Sequence, residues 1–278
     1  MMDLQAFATQ VRRDIVRMVH AVSSGHPGGS LGCADFFTFM YHKRLKYNPR
    51  SFNMDGHGED LFFLSNGHIS PVWYSVLART GFFPVSELAT FRKLSSRLQG
   101  HPSVDKNLPG IRIASGSLGQ GLSVAIGAAL TKKLNQDSQK VYCLMGDGEI
   151  QEGQVWEAAM YAGSKHVDNI VAIIDFNNRQ IDGDVAEVMG VMPLEDKWKA
   201  FGWDVYHMDG HDFGSMSETF EKIDSQVANG KPKIILMKTE MGQGIDFMMG
   251  THKWHGSAPN DEQLEKALSQ LPETLGDY

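Results

Sequence analysis

Basic residues are the minority charge in this chain: 26 Lys and Arg against 33 Asp and Glu leave a net charge of −7. That balance argues against a surface built to hold nucleic acid or an anionic membrane, so other proteins and small molecules are the expected partners. Cysteine is scarce as well. Cys33, in GSLGCAD, and Cys143, in the apolar run KVYCLM, are the only two thiols; their settings suit buried thiols better than a disulfide framework. No apolar run approaches the ~20 residues of a membrane span. The N-terminal stretch sets Arg12, Arg13 and Asp14 between apolar residues at helical spacing, unlike a signal sequence, so a cytoplasmic chain is expected. Repeats, low-complexity tracts and linkers are also missing. What remains is 278 residues, 42% of them hydrophobic, enough for a single domain over residues 1–278 with one large core.

Apolar spacing places a helix from Leu4 to Val22, and Ser23-Ser24-Gly25-His26-Pro27-Gly28-Gly29 reads as the loop that stops it. A second helical pattern runs from Leu31 to about Tyr41. DLFFLS then reads as a buried strand ending at Asn66-Gly67-His68. Helical PVWYSVLART and the segment Ser86 to Leu98 follow, and Gln99-Gly100-His101-Pro102 has turn character. The glycines of Gly116-Ser117-Leu118-Gly119-Gln120-Gly121 open a small-residue helix that a ligand or another backbone can approach closely. KVYCLM (140–145), EGQVWEAAMYAGSKH and NIVAIID (169–175) form strand, helix and strand. Because both strands are continuously apolar, this is a parallel βαβ unit with a right-handed crossover. GWDVYHMD and KPKIILMKT supply two more strands around a helix from Ser217 to Ala228, and PNDEQLEKALSQL is a capped helix. The expected fold class is α/β: a doubly wound, mostly parallel sheet with helices on both faces.

In such a sheet ligands bind beyond the carboxyl ends of the strands. The residues just past KVYCLM and NIVAIID are Gly146-Asp147-Gly148 and Asp175-Phe176-Asn177-Asn178. A carboxylate from Asp147 and an amide oxygen from Asn177 are hard donors suited to Mg²⁺ or Ca²⁺, with open positions left for phosphate oxygens and water. The flanking glycines allow close approach of a diphosphate, and the following helix offers free N–H groups.

Asp147 and Asn177 so spaced resemble the signature of thiamine-diphosphate enzymes. The series SSGHPGGSLGCAD, LSNGH, QGHP, GSLGQGLS, GDGEIQEGQVWEAA, DFNNRQIDG, DGHD and KWHGSAP resembles the N-terminal part of transketolase, in that family's order and across nearly the whole chain. The resemblance implies the thiamine-diphosphate-binding fold, in its diphosphate-binding domain, with metal bound by Asp147, Asn177 and the carbonyl of Arg179. It implies cofactor contacts at His68, Gly116, Ser117, Leu118, Gly146, Asp147, Gly148, Glu149, Asn177, Ile181 and His255. His26, His101 and His255 match histidines around the reacting carbon and the substrate hydroxyls, and Glu152 matches a glutamate near the cofactor-activating glutamate at the subunit interface. Glu157 sits where it would extend that acidic network. Ser117 and Arg179 depart from the family's commoner proline and aliphatic residue.

In that family the activating glutamate comes from a pyrimidine-binding domain, and the roughly twenty residues after His255 make one helix at most. The resemblance therefore implies the first subunit of a split transketolase. Its partner chain would supply the pyrimidine-binding and C-terminal domains in an α2β2 assembly. The reaction implied is transfer of a two-carbon ketol unit from a ketose, with sugar phosphates as substrates, and His26 and His255 are candidate bases for the donor hydroxyl. Three other thiamine readings compete: a specialised sugar transketolase, the α subunit of a 2-oxo acid dehydrogenase, and a deoxyxylulose-phosphate-type synthase. Outside them stand a non-catalytic cofactor binder and a Rossmann nucleotide binder; GSLGQG lacks the strand setting the last requires. Donor, acceptor and pathway stay open.

Overall fold

The computed structural model describes residues 3–278. Helix α1 (Leu4–Ala21) starts where Asp3 accepts the N–H groups of Gln5 and Ala6 at 3.0 and 3.2 Å, which satisfies donors that a helix start leaves unpaired. The main sheet has the order β1 (Leu61–Leu64), β2 (Val141–Gly146), β3 (Ile170–Phe176), β7 (Lys233–Lys238) and β6 (Asp204–Asp209), and each neighbouring pair is parallel. Along β2 and β3 side chains enter two hydrophobic layers in turn. Tyr142, Leu144, Val171 and Ile173 pack under α1 and α4 (Ser70–Arg79). Val141, Cys143, Ile170 and Ala172 pack under α5 (Gly121–Leu134) and α6 (Gly153–Ser164). Strands covered on both faces require continuous apolar runs, which is why these were legible. No helix among the described residues is long and apolar enough to cross a membrane.

Three stretches differ from the sequence reading. The glycine loop after α1 is short, because α2 (Pro27–Gly32) runs straight through Gly28 and Gly29. Pro27 fits the first helical turn, where its missing N–H costs nothing. The glycines answer to packing: a Cβ on Gly28 would lie 2.6 Å from Met241 Cγ, and one on Gly29 2.8 Å from Ile69. Helix α3 (Ala34–Phe39) then continues as a wider turn over Met40–Arg44. After β3, where periodicity marks nothing, the chain forms the hairpin β4 (Arg179–Gln180) and β5 (Gly183–Asp184), then α7 (Val185–Met189) and α8 (Leu194–Ala200). Finally, α9 spans Phe213–Ser225, four residues earlier than its apolar pattern begins (Phe213 against Ser217), since Asp212 caps it by accepting the Gly214 N–H at 2.8 Å. The last helix, α10 (Asp261–Gln270), has the expected cap: Asn260 and Gln263 exchange bonds at 2.9 and 3.0 Å.

Two glycines in neighbouring helices test the packing. A Cβ on Gly163, in α6, would sit 1.8 Å from the Phe201 carbonyl oxygen, whereas one on Gly127, in α5, meets nothing within 4 Å. Gly163→Ala is expected to destabilise the chain by about 1–3 kcal/mol through overpacking. Gly127→Ala should stabilise it by about 0.5–1 kcal/mol. Chemical denaturation of both variants checks the pair, and opposite signs are the required result.

Candidate active site

A cavity of about 370 Å³ opens beyond the carboxyl ends of β1, β2 and β3. Three of the backbone segments around it are tied together by one buried side chain, Glu149, which sits in a tight turn between β2 and α6. One carboxylate oxygen accepts the Ser65 hydroxyl and the Gly119 N–H (2.8 Å), and the other accepts the Gly146 N–H at 3.0 Å. These donors come from the end of β1, the glycine loop before α5 and the end of β2. Burial pushes the Glu149 carboxyl up. Expected as a cofactor contact, Glu149 lines the cavity with both oxygens already engaged, so it acts as a clamp. The glycines of the loop permit the approach it enforces: a Cβ on Gly121 would lie 2.3 Å from Ser65 Oγ, and one on Gly67 2.7 Å from the Gly116 nitrogen.

Asp147 follows β2 and is 1% exposed. Its carboxylate accepts the N–H groups of Gly148 at 2.8 Å and Asn178 at 2.5 Å. Burial, and then the neighbouring charge of Asp175, push it up to about 8. Asp175, also buried, accepts the Thr239 hydroxyl and, at 3.0 Å, the Asn177 amide N–H. That bond turns the Asn177 carbonyl oxygen the other way, toward the Arg179 N–H at 2.8 Å. The Arg179 side chain is drawn off to Asp184. Among the described residues no three His, Cys, Asp or Glu side chains converge as a metal cage. The donors on offer are one carboxylate, one amide oxygen and one backbone carbonyl, which is the set a hard cation takes. Two buried carboxyls raised by burial, one also by the other's charge, are the chemistry such a cation relieves; the residues present fit a divalent metal holding a diphosphate.

Across the cavity stand His26, His68 and His255. The His26 ring lies 5.1 Å from His68 and 5.7 Å from His255, and His68 lies 5.0 Å from His255. Burial, then the mutual field of the cluster, lowers His26 to about 4 and His68 well below the ordinary value. Burial lowers His255 as well. All three are neutral near pH 7. Among the described residues the buried Nδ1 atoms of His26 and His255 find no hydrogen-bond partner. His101 is exposed outside the cavity lining, 6.1 Å from His26 and folded over Gly116. Glu152, Leu118 and Ile181 form an exposed rim, and Ser117 is exposed beyond it. Glu157 lies away from the cavity, on the outer side of α6. A larger cavity of about 630 Å³ at the ends of β3, β7 and β6 shares Asn177 but receives none of these three histidines.

Sequence reasoning missed the support behind the histidines. Buried Arg12 grips Asp35, which also meets His211 Nδ1 at 2.9 Å, and His211 Nε2 accepts the Glu240 N–H at 2.8 Å. Because Nε2 accepts, Nδ1 carries the proton and donates to Asp35. Burial pushes Asp35 up, yet His211 and Arg12 together hold it below its ordinary value. Glu240 then takes the Gly250 N–H at 2.7 Å, and Gly242 donates to the Gly28 carbonyl at 2.9 Å, fixing the segment that delivers His255 against the helix that follows His26. The DGHD motif was the visible trace of this chain of contacts. Asp35 carried no signal beyond a charge in an apolar helix.

Comparison with known proteins places this geometry. The family model described as transketolase, thiamine diphosphate binding domain, matches residues 4–273. The chain is 38% identical over 264 residues to a subunit of the apulose-4-phosphate transketolase of Phocaeicola vulgatus, covering 95% of this chain and 92% of that one. It is 36% identical over 269 residues to the 6-deoxy-6-sulfo-D-fructose transketolase subunit SqwG of a Clostridium species, covering 97% and 96%. The transketolase structure from Campylobacter jejuni superposes with a TM-score of 0.88 at 34% identity, over 97% of this chain but 43% of that one.

Asp147 supplies a stability test. A carboxyl whose folded pKa is raised favours the fold below its unfolded value and loses that contribution as pH rises through the folded one. The metal-free chain should therefore lose stability from about pH 4 toward the Asp147 value of about 8. Asp147→Asn, which cannot ionise, is expected to lose this pH dependence, its midpoint no longer falling between about pH 4 and pH 8 as the parent's does. Millimolar Mg²⁺ should raise the parent's midpoint and leave that of Asp147→Asn unchanged. Scanning fluorimetry with and without Mg²⁺ reads both, and a parent insensitive to Mg²⁺ would count against the metal assignment.

Proposed function

The chain belongs to the transketolase family through its thiamine diphosphate binding domain, and from that premise we propose that it is the N-terminal subunit of a transketolase divided between two polypeptides. Support comes from proportion: the relatives named as subunits are matched over 92% and 96% of their length, and the single-chain transketolase structure over 43%. In this reading residues 1–278 are one diphosphate-binding domain. A partner chain carries the pyrimidine-binding and C-terminal domains, and two of each make an α2β2 assembly. The reaction is transfer of a two-carbon ketol unit from a ketose to an aldose. The relatives' names mention a sugar phosphate and a sulfo-sugar, and we extend that to an anionic ketose as donor here.

The observation that carries this reading is the group of neutral imidazoles facing Asp147 and Asn177 across one cavity. Bound thiamine diphosphate supplies a nucleophilic thiazolium carbon for the ketose carbonyl and an electron sink for the two-carbon fragment. Asp147, the Asn177 amide oxygen and the Arg179 carbonyl hold the metal, and with it the diphosphate, while His68 contacts phosphate. Gly116, Leu118, Gly146, Gly148 and Ile181 shape the cofactor pocket, with Ser117 beside its mouth. His26 and His255, kept unprotonated by burial, take the donor hydroxyl proton as the carbon–carbon bond breaks, and His101 holds substrate hydroxyls. Glu152, on the rim, meets the partner's acidic group. A 2-oxo acid dehydrogenase has no comparable use for imidazoles aimed at hydroxyls.

The test is co-expression with the partner chain and assay of ketol transfer from xylulose 5-phosphate to ribose 5-phosphate, with Mg²⁺ and thiamine diphosphate. Turnover is expected only with both chains present. Asp147→Ala should abolish it, and His26→Ala or His255→Ala should lower kcat by roughly 10²–10⁴. Cofactor binding without transfer would move the substrate to another sugar, while no cofactor binding by the complex would sink the reading.

A further inference from the structure

The cofactor cavity takes up the ends of β1, β2 and β3, and the larger cavity of about 630 Å³ opens at the ends of β3, β7 and β6. Small-molecule sites run from roughly 300 to 1,000 Å³, and open parallel sheets take ligands at the carboxyl ends of their strands. The floor of this cavity is apolar. Leu194, Met208 and Leu236 are buried, Phe176 is half-buried, and Met192, 62% exposed, adds an open edge.

Strand register arranges the charges. Lys238 is paired with Phe176 of β3 on one side and with Asp209 of β6 on the other, so an aromatic ring, a cation and an anion stand in one row on one face of the sheet. Neighbouring strands lie about 5 Å apart, yet among the described residues Lys238 and Asp209 form no ion pair with each other or with any other group. Glu240, which also lines the cavity, forms none either. Asp209 accepts the His211 N–H at 2.9 Å through one carboxylate oxygen, and Glu240 accepts the Gly250 N–H at 2.7 Å through one of its own. The second oxygen of each is unengaged among the described residues. The other charges of the rim satisfy one another: His207 Nε2 meets Glu195 at 2.9 Å, and Glu195 also takes Lys199.

We propose that this cavity is a second small-molecule site, for an apolar α-amino acid. Its carboxylate would meet Lys238, its ammonium the free oxygens of Asp209 and Glu240, and its side chain the floor of Phe176, Met208 and Leu236. A free amino acid carries both charges on one carbon and an apolar body beside them. A ligand with a single charge satisfies half of the rim and forgoes the charge-assisted hydrogen bonds of the other half. Asn177 lines both cavities, and its neighbours Phe176 and Asn178 line this one. Occupancy therefore couples to the metal donors next door. The site itself does not depend on the ketol-transfer reading.

The test is NMR of the full chain carrying methyl-labelled methionine, followed at Met192 and Met208 during titration with L-phenylalanine, without metal or cofactor. Saturable shifts of both methyl signals are expected. 3-Phenylpropionate and 2-phenylethylamine, each with one of the two charges, should bind roughly 10–100-fold more weakly, the loss of hydrogen bonds to a charged group. Lys238→Gln should weaken phenylalanine and leave phenylethylamine unchanged. Asp209→Asn, whose amide oxygen can still accept the His211 N–H, should weaken phenylalanine and phenylethylamine and leave phenylpropionate unchanged. A misfolded variant would lose all three probes together. No saturable shift with phenylalanine, or equal affinity for the three probes, overturns the proposal. Repeating the titration with Mg²⁺ should change the phenylalanine affinity by roughly 5-fold or more, and an unchanged affinity overturns the coupling. No turnover is involved, so failure of ketol transfer would be told apart from failure of this site.

Discussion

The carboxylate of Glu149 sets the geometry on which the rest of the site depends. It gathers the ends of two strands and the loop before α5 by accepting Ser65, Gly119 and Gly146. Each of those donors would otherwise be a buried polar group without a partner, at a cost of about 1–3 kcal/mol apiece. Because one anion serves all three, the loops cannot shift independently. Gly146 is held in place, and with it the backbone from which Asp147 projects. The glycines at 67 and 121 follow from the same constraint, since side chains there would keep the loops apart.

Around that clamp the electrostatics divide in two. On one side Asp147 and Asp175 are buried carboxyls, both pushed up by burial. On the other, His26, His68 and His255 are held neutral by burial and by one another. Neither half neutralises the other: no carboxylate of the site pairs with these histidines, and no histidine pairs with Asp147. The acidic half gains from a cation that lets its carboxyls ionise, and the neutral half offers lone pairs. A cavity so divided has room for a metal-bound diphosphate at one end and a hydroxyl-rich substrate at the other.

The sheet was legible because a strand covered on both faces must be apolar throughout, and KVYCLM and NIVAIID are. The strand-end rule then located Asp147 and Asn177 without further help. The helix over Gly28 and Gly29 was not legible, because glycine signals a loop unless one knows that Met241 and Ile69 leave no room for a Cβ. Glu149 could be placed near the cofactor, but not as a clamp, since its three donors lie 84, 30 and 3 residues away. The Arg12–Asp35–His211 contacts were hidden for the same reason: spacing along the chain carries no record of which distant charges meet.

Helix α2 has an unusual source of order. Three of its six residues are glycine, each about 1 kcal/mol poorer than alanine as a helix former, so in isolation it would not persist. It is shaped by what lies against it: Met241 and the Trp254 carbonyl at Gly28, and the Glu240 carbonyl at Gly32. Those neighbours belong to the segment that ends in His255, while the N-cap of α2 is His26. The two histidines are therefore mounted on segments that pack directly against each other, and α2 takes its order from that contact. A ligand that grips one imidazole stiffens the backbone beneath both, and melting of either segment would remove two reactive groups at once.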